Sequence, residues 1–316
     1  MHTPLFVYTF ACHEDELPLC ALEKRTVFGA DASAGSHLLC SPVAFEPSRS
    51  PFVKERIDVL YQGDSVSAIA RQLPGLQLSG STFKVIFVKK NDLEPPHNIE
   101  YAGQRAIERE LGASIAGTAD VHKPDHTFGV VTVGGRWYFG RYRKAEPVWL
   151  HHMKKPHSYS IALPTRIARA IVNIAVPDPQ AAIRAIDPCC GIGTVLVEAL
   201  SMGIAITGRD INPLAVRGAR ANIASFGLTG EVALGSIADI EASYDAAIVD
   251  MPYNRVTRIS PEEQLSILHH TRRIANKAVI VTTGDIDEQV TGAGFAIRDR
   301  CAVRKGAFSR HILICT

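Results

Sequence analysis

The sequence predicts an α/β protein in two parts. An irregular α+β portion occupies about residues 1–150, and a doubly wound, mostly parallel seven-stranded sheet occupies residues 151–316. Three observations carry this reading. The chain has 316 residues, more than one hydrophobic core usually fills. From about residue 181, apolar strand-like runs alternate with helix-like runs. The last two strand-like runs are separated only by "RKGAFS", too short for a parallel crossover, so they form an antiparallel hairpin.

In the first part, strands are expected at about 5–12, 36–45, 83–89 and 127–140, and helices near 15–28, 52–61, 65–73 and 101–111. The linker falls at about residues 144–163, around "EPVWLHHMKKPHSYSIALP". In the second part, "AAIRAID" is an apolar strand and "TVLVEALSMG" a helix ending at Gly203. "AITGRDI" is the next strand. "NPLAVRGARANIASFG" is a helix with Pro213 near its start and Gly227 past its end, the expected asymmetry. "EVALGS", "YDAAIVD" and "KAVIVTTG" follow as strands, with the helix "PEEQLSILHHTRRIAN" before the last of them. "FAIRDRCAV" and "RHILICT" make the closing hairpin.

Composition is that of an ordinary globular protein, 46% hydrophobic and 21% charged. No apolar run reaches the length of a membrane span, so no membrane partner is expected. The start, "MHTPLFVYTFACHEDE", lacks a basic n-region and turns acidic, so no signal peptide is read. Seven cysteines stand at 12, 20, 40, 189, 190, 301 and 315, with no C-x-x-C pair, which predicts reduced thiols in a cytoplasm. Net charge is +2 but unevenly spread: residues 136–157 hold a net +5, so the remainder sums to −3. Arg141, Arg143, Lys144, Lys154 and Lys155 lie there beside Trp137 and Trp149. Interleaved cations and aromatics suit a nucleic acid; a solvated strand with core aromatics is the plainer alternative.

The stretch "AIDPCCGIGT", Ala185 to Thr194, poses the functional question. Adjacent cysteines on a tight turn point apart, whereas chelation uses spaced ligands. His122 and His126 are four apart, but Pro124 between them argues against one helix face. No metal is therefore expected. A nucleophilic thiol would need a partnered base, and none is visible. What counts is the loop's shape, in which Gly191 and Gly193 let the backbone turn and approach a ligand at the carboxyl end of a strand. A dinucleotide signature would need glycine where Leu196 stands. Asp187, directly before the turn, would repel a pyrophosphate and attract a cationic amino-acid head. Asp210 ends the next strand, where an acid can hold ribose hydroxyls. Together these favour S-adenosyl-L-methionine over NAD.

A second motif, "VDMPYN", follows the fourth strand of the second part. An exocyclic amino nitrogen gives its lone pair to its ring and is a poor nucleophile. The Asp250 carboxylate and the Met251 carbonyl can accept its two N–H bonds and aim the lone pair at a methyl donor. Pro252 biases Met251 towards an extended backbone, and Tyr253 can stack on an extruded base. The motif resembles the D/N-P-P-Y of enzymes that methylate exocyclic amino nitrogens, with Met251 in place of the first proline; the carbonyl survives that change.

"IDPCCGIGTVLVEAL…GRDIN" together with "VDMPYN" resembles the class I S-adenosylmethionine-dependent methyltransferases, and more narrowly the tRNA guanine-N2 methyltransferases with a THUMP-related N-terminal domain. "SPFVKERIDVLYQGDS" and "ADVHKPDHTFGVVTVGGRWYFGR" resemble segments of the same family. The resemblance implies a Rossmann-like methyltransferase sheet preceded by a THUMP-related RNA-binding domain. It implies Asp187, Cys189, Gly191, Gly193 and Thr194 at the methionine end of the cofactor, Asp210 on the ribose and Ile211 along the adenine. It sets Ser236, Ile237 and Asp239 near the adenine amino group, and Asp250, Met251, Pro252 and Tyr253 around the target amine. "KPHSYSIALPTR" is similar to the segment that covers the cofactor. The hairpin cations Arg304, Lys305 and Arg310 join the expected RNA-binding set. The implied partner is RNA, above all tRNA, and the family's eukaryotic branch suggests a small activating protein subunit. Adenine-N6 or cytosine-N4 methylation of DNA, protein glutamine methylation, and non-catalytic RNA binding are the alternatives that the motifs leave open.

Overall fold

A computed structural model describes residues 3–29, 36–89, 92–93, 99–159, 162–252, 260–305 and 308–316. The chain forms two compact units. The first gathers Met1–Ala11, Gly35–Ser48 and Phe52–Glu146; the second gathers Cys12–Ala34, Arg49–Pro51 and Pro147–Thr316. The division is thus not a simple cut near residue 150.

The strands of the first unit are β1 (Phe6–Phe10), β2 (Leu38–Ser41), β3 (Val53–Gly63), β4 (Thr82–Phe87), β5 (Thr118–Ala119), β6 (His126–Val133) and β7 (Arg136–Lys144), in the order β2-β1-β3-β7-β6-β4-β5. In chain order the first three helices are α1 (Leu17–Phe28), which belongs to the second unit, then α2 (Val66–Ala70) and α3 (Tyr101–Ala113) in the first. Ile69 of α2 and Leu111 of α3 pack with Phe83, Phe128 and Phe139 of the sheet.

Two expectations are corrected here. The helix read over 52–61 is strand β3, paired antiparallel with β1 on one side and β7 on the other. Its charged run looks helical, but Arg56 is satisfied on the strand by the Asp58 carboxylate at 2.6 Å and the Phe45 carbonyl at 2.8 Å. Pairing on both edges overrides local propensity. The single strand read over 127–140 is a hairpin, β6 and β7, because Gly134 (φ 61°) and Gly135 (φ 71°) form a two-residue turn that needs positive φ at both positions.

The strands of the second unit are β8 (Ala185–Asp187), β9 (Ile206–Asp210), β10 (Glu231–Leu234), β11 (Tyr244–Asp250), β12 (Ala275–Thr282), β13 (Ile297–Lys305) and β14 (Phe308–Cys315). Its further helices are α4 (Trp149–His152), α5 (Thr165–Ala175), α6 (Thr194–Ser201), α7 (Pro213–Ser225), α8 (Pro261–Ile274) and α9 (Asp287–Gly292). The order is β10-β9-β8-β11-β12-β14-β13; the first five are parallel, and β14 runs antiparallel to both its neighbours. The Rossmann-like α/β sheet and its C-terminal hairpin are as the sequence predicts. Strand order reverses between β8 and β11, the topological switch point at which open α/β sheets bind ligands.

Polar contacts explain why α1 and Arg49–Pro51 belong to this unit. Glu23 of α1 is buried and accepts hydrogen bonds from the Ser50 hydroxyl and from Asn173 of α5 at 2.7 Å. Burial pushes its carboxyl up to about 7. Arg49 donates to the carbonyls of Val176 and Pro177, both at 3.0 Å. At the other end of α1, Arg25 grips Asp299 of β13 in a bidentate pair. On α6, the fully buried Glu198 takes Arg169 of α5 and His152 of α4, each at 2.6 Å. That carboxylate fixes α4, and the chain that leaves it, against the sheet-covering helices. Glu198→Ala should cost about 3–5 kcal/mol, since it strands a buried guanidinium. Urea unfolding of the variant beside the parent measures the loss.

Candidate active site

Strand β8 ends at Asp187, and the turn Pro188–Gly193 leads directly into α6. Gly191 (φ 53°) and Gly193 (φ 76°) hold backbone conformations that side chains resist. A Cβ on Gly193 would lie 3.0 Å from the Ala219 Cβ of α7, and one on Gly191 would lie 2.8 Å from the Tyr159 hydroxyl. The loop is therefore packed from both sides. Asp210, at the end of β9, locks it: one carboxylate oxygen accepts from the Gly191 N–H and the other from the Asn212 N–H, both at 2.8 Å. Fully buried Asn222 on α7 donates to the carbonyls of Ile192 and His157 and accepts from the His157 N–H. One amide thus pins both the glycine loop and the segment that precedes α5.

Asp187, Asp210 and Asp250 end the three neighbouring strands β8, β9 and β11, and all three line one cavity of about 490 Å³. Asp187 is 2% exposed and accepts a 3.3 Å bond from the Cys189 N–H. Burial holds its carboxyl well above the usual range, and Asp250 and Asp210 add to the rise. Asp250 is half-buried, and its Oδ1, fully shielded from solvent, has no hydrogen-bond partner among the described residues. Burial pushes its carboxyl up to about 7, while the charge of Arg310 pulls it down. Among the described residues the cavity collects negative charge with no Lys or Arg in its wall, the environment a cationic ligand would complete.

Most of the expected cofactor set meets here. Cys189, Gly191, Thr194, Ile211, Ser236 and Ile237 line the cavity with the three acids, as do Met251 and Pro252. Gly193 stands behind the wall as the hinge into α6. Asp239 is a correction: it does not line the cavity, and its carboxylate caps the short 3-10 turn Ile237–Asp239 by accepting from the Ser236 N–H at 3.1 Å. Only three residues separate it from Ser236, so the turn that exposes Ser236 also folds Asp239 back. Tyr253 lies outside the described residues. Met251 donates its N–H to the Val281 carbonyl at 2.9 Å, which continues the strand pairing one residue beyond Asp250. Ile267 of α8 is a wall residue that no sequence pattern marks. Tyr159, Ala162 and Leu163 also line the cavity, within the stretch expected to cover the cofactor. Burial and the nearby Asp210 raise the Tyr159 phenol.

The thiols are inert by environment. Burial, followed by Asp187 and Asp210, pushes Cys189 and Cys190 far above the usual thiol range. Among the described residues, no group of three His, Cys, Asp or Glu could hold a metal ion. No helix among them is long and apolar enough to cross a membrane.

The expected RNA-binding residues divide between the units. Arg141, Arg143 and Lys144 are exposed on β7 of the first, although Arg143 already pairs with Asp58 at 3.3 Å. In the second unit Lys154 and Arg304 are exposed, Lys155 is half-buried with Nζ 3.4 Å from the Thr165 hydroxyl, and the Lys305 side chain lies outside the described residues. Arg310 is not a surface cation: it is 8% exposed, with its guanidinium over the Phe308 ring at 4.6 Å. Both tryptophans serve packing. Trp137 meets Phe87 edge-on at 6.3 Å, and Trp149 is 6% exposed under Arg166. The aromatics in this basic stretch are structural because each flanks a core they complete.

Residues 154–286 match the model of the UPF0020 RMKL-like methyltransferase domain. That span holds the glycine loop, Asp210 and Asp250. A tRNA (guanine(10)-N2)-dimethyltransferase of Methanothermobacter thermautotrophicus is 30% identical over 165 residues, 47% of each chain. One from Pyrococcus abyssi is 35% identical over 112 residues, 34% of this chain and 33% of the relative. The U6 snRNA (guanine-N(2))-methyltransferase THUMPD2 of Mus musculus is 28% identical over 141 residues, 42% of this chain and 26% of the relative. This chain spans about half the length of the first relative and less of the others. Over residues 154–286 the chain thus resembles a methyltransferase domain, as its motifs predict.

Cys189 and Cys190 should resist alkylation. At pH 8 in the native protein, iodoacetamide should modify each more than about tenfold more slowly than a free cysteine, since only the thiolate reacts. Peptide mass spectrometry over time reads the two rates.

Proposed function

We propose that the protein transfers a methyl group from S-adenosyl-L-methionine to the exocyclic N2 of a guanine in RNA, most naturally tRNA. The observation that carries this reading is Asp250: a carboxylate with a buried oxygen unpartnered among the described residues, lining a cavity it shares with two further acids. The wall suits an amphiphilic cation. Asp187 offers negative charge to an ammonium or sulfonium, and Ile211 and Ile237 offer apolar surface to a flat ring. Asp210 already accepts two backbone bonds, and each oxygen retains a lone pair for a hydroxyl. Bound there, the cofactor would supply an electrophilic methyl on sulfur.

The chain's own residues do the rest. Asp250 accepts one N–H of the incoming amine and the Met251 carbonyl the other. That orients the lone pair and offsets the positive charge that develops on nitrogen. Tyr159 and Leu163 add wall to the same cavity. The same acceptors would serve adenine N6 or cytosine N4. The substrates in the relatives' names, all RNA guanines, favour RNA.

The direct test is incubation with methyl-labelled cofactor and total tRNA, followed by nucleoside mass spectrometry. Labelled N2-methylguanosine is the expected product, and its absence with label in another base or in DNA would overturn the reading. Turnover by the chain alone would show that no activating subunit is required.

Asp210→Ala should weaken cofactor binding more than about tenfold, because it removes a charged acceptor and releases the Gly191 loop. Calorimetry decides this. Asp250→Ala should bind cofactor with near-parental affinity yet slow single-turnover transfer by roughly 10²–10³. The pH dependence has a definite sign. Only the carboxylate form of Asp250 accepts the amine, so kcat/KM should rise with pH through about 7. A bound sulfonium favours that carboxylate, so the limb in kcat should sit lower. Asp250→Asn should abolish the limb while retaining more activity than alanine.

A further inference from the structure

The fold brings two of the seven thiols together from separate positions in the chain. Cys12 and Cys20 both belong to the second unit, and the Cys20 thiol is in hydrogen-bonding contact with that of Cys12. The other cysteines are placed differently. Cys189 and Cys190 are chain neighbours, and Cys301 and Cys315 stand opposite Ile312 and Ile297, well apart along the β13–β14 hairpin. Cys40 is the one cysteine in the sequence of the first unit.

A tight reversal makes the contact. After Cys12, the His13 ring accepts from the Asp15 N–H at 3.3 Å and the His13 carbonyl from the Glu16 N–H at 2.9 Å. The 3-10 turn Glu14–Glu16 then runs directly into α1, whose first residues carry Cys20 back beside Cys12. Lys24, one helical turn further, interacts with both sulfurs. Access is unequal: Cys12 is partly exposed, whereas Cys20 and Lys24 are each 3% exposed. Burial, then Cys12 and Glu23, raise the Cys20 thiol, and Lys24 opposes them. This field differs from that of Cys189 and Cys190, whose charged neighbours are acids. A cation beside a thiol pair favours the thiolate on which disulfide chemistry depends.

We propose that Cys12 and Cys20 form a reversible oxidation site, closed to a disulfide by hydrogen peroxide and reopened by a thiol reductant. The more exposed member reacts first. The Cys12 thiolate attacks one peroxide oxygen; an S–O bond forms, the O–O bond breaks, and hydroxide leaves and takes up the proton that Cys12 had lost, becoming water. Cys20 then gives up its proton and attacks the Cys12 sulfur; an S–S bond forms, the S–O bond breaks, and the hydroxyl leaves with that proton as a second water. Two thiols are oxidised and one peroxide is reduced. The ring closed by the new bond contains Glu16, whose carboxylate holds Arg166 of α5 at 2.7 Å, so oxidation braces the entry of α1.

The full-length native protein, treated with hydrogen peroxide and then alkylated, tests this by mass spectrometry of the tryptic peptide 1–24, which holds both residues. That peptide should lose two hydrogens and take up no alkyl label, and dithiothreitol should restore both labels. Cys20→Ser should leave Cys12 as a sulfenic acid that dimedone traps, and Cys12→Ser should leave Cys20 reduced at the same peroxide dose. Lys24→Met should slow bond formation by more than about fivefold. Amide hydrogen exchange over residues 13–20 should slow by more than about tenfold in the oxidised parent. Two alkylated thiols in the peroxide-treated parent, or a bond that forms only in urea, would overturn the site. A bond formed at the parental rate in Lys24→Met would overturn the role given to that cation.

Discussion

Three carboxylates on three adjacent strand ends set the terms for the second unit. Strands in a sheet are spaced about 4.8 Å apart, so Asp187, Asp210 and Asp250 cannot avoid one another across β8, β9 and β11. The structure divides the strain unequally. Asp210 is held by two backbone N–H donors, whereas Asp187 has one long bond and Asp250 an oxygen with none among the described residues. Burial raises the carboxyls of both poorly served acids. Such a cavity favours either protons or a cation. A methyl donor whose positive charge disappears on transfer would fit this field best before the reaction and less well after it.

The same field accounts for the neighbours. Cys189 and Cys190 are held as thiols by burial first and by the neighbouring Asp187 and Asp210 second. The Tyr159 phenol is raised for related reasons. A nucleophile mechanism would need the opposite polarity. What the site can do is accept N–H bonds and host positive charge, as the proposed transfer to a weakly nucleophilic amine requires.

Around this centre, buried polar residues do the fastening. Glu23 with Asn173, Glu198 with Arg169 and His152, and Asn222 with the backbones of His157 and Ile192 each join elements distant in sequence. Asn222 joins the glycine loop to the segment carrying Tyr159. Loop shape and cavity cover therefore depend on one amide. Buried networks of this kind tolerate little change, because a single lost partner leaves others stranded.

The sequence by itself determined the strand–helix alternation of the second unit, the Gly191–Gly193 turn, and Asp187, Asp210 and Asp250 as the residues of interest. Those are local properties: period, punctuation and an acid at a strand end are written in a few consecutive letters. Tertiary structure alone decided the rest. β3 became a strand because β1 and β7 pair with it on both edges, which no helix-like charge pattern within 52–61 could reveal. α1 joined the second unit through Glu23 and Asn173, 150 residues apart. Asp239 turned away to cap its own 3-10 turn, and Arg310 turned inward to Phe308 and Asp250. Each outcome depends on which partners long-range folding brings within a few ångströms, and burial then multiplies the worth of every polar contact made there.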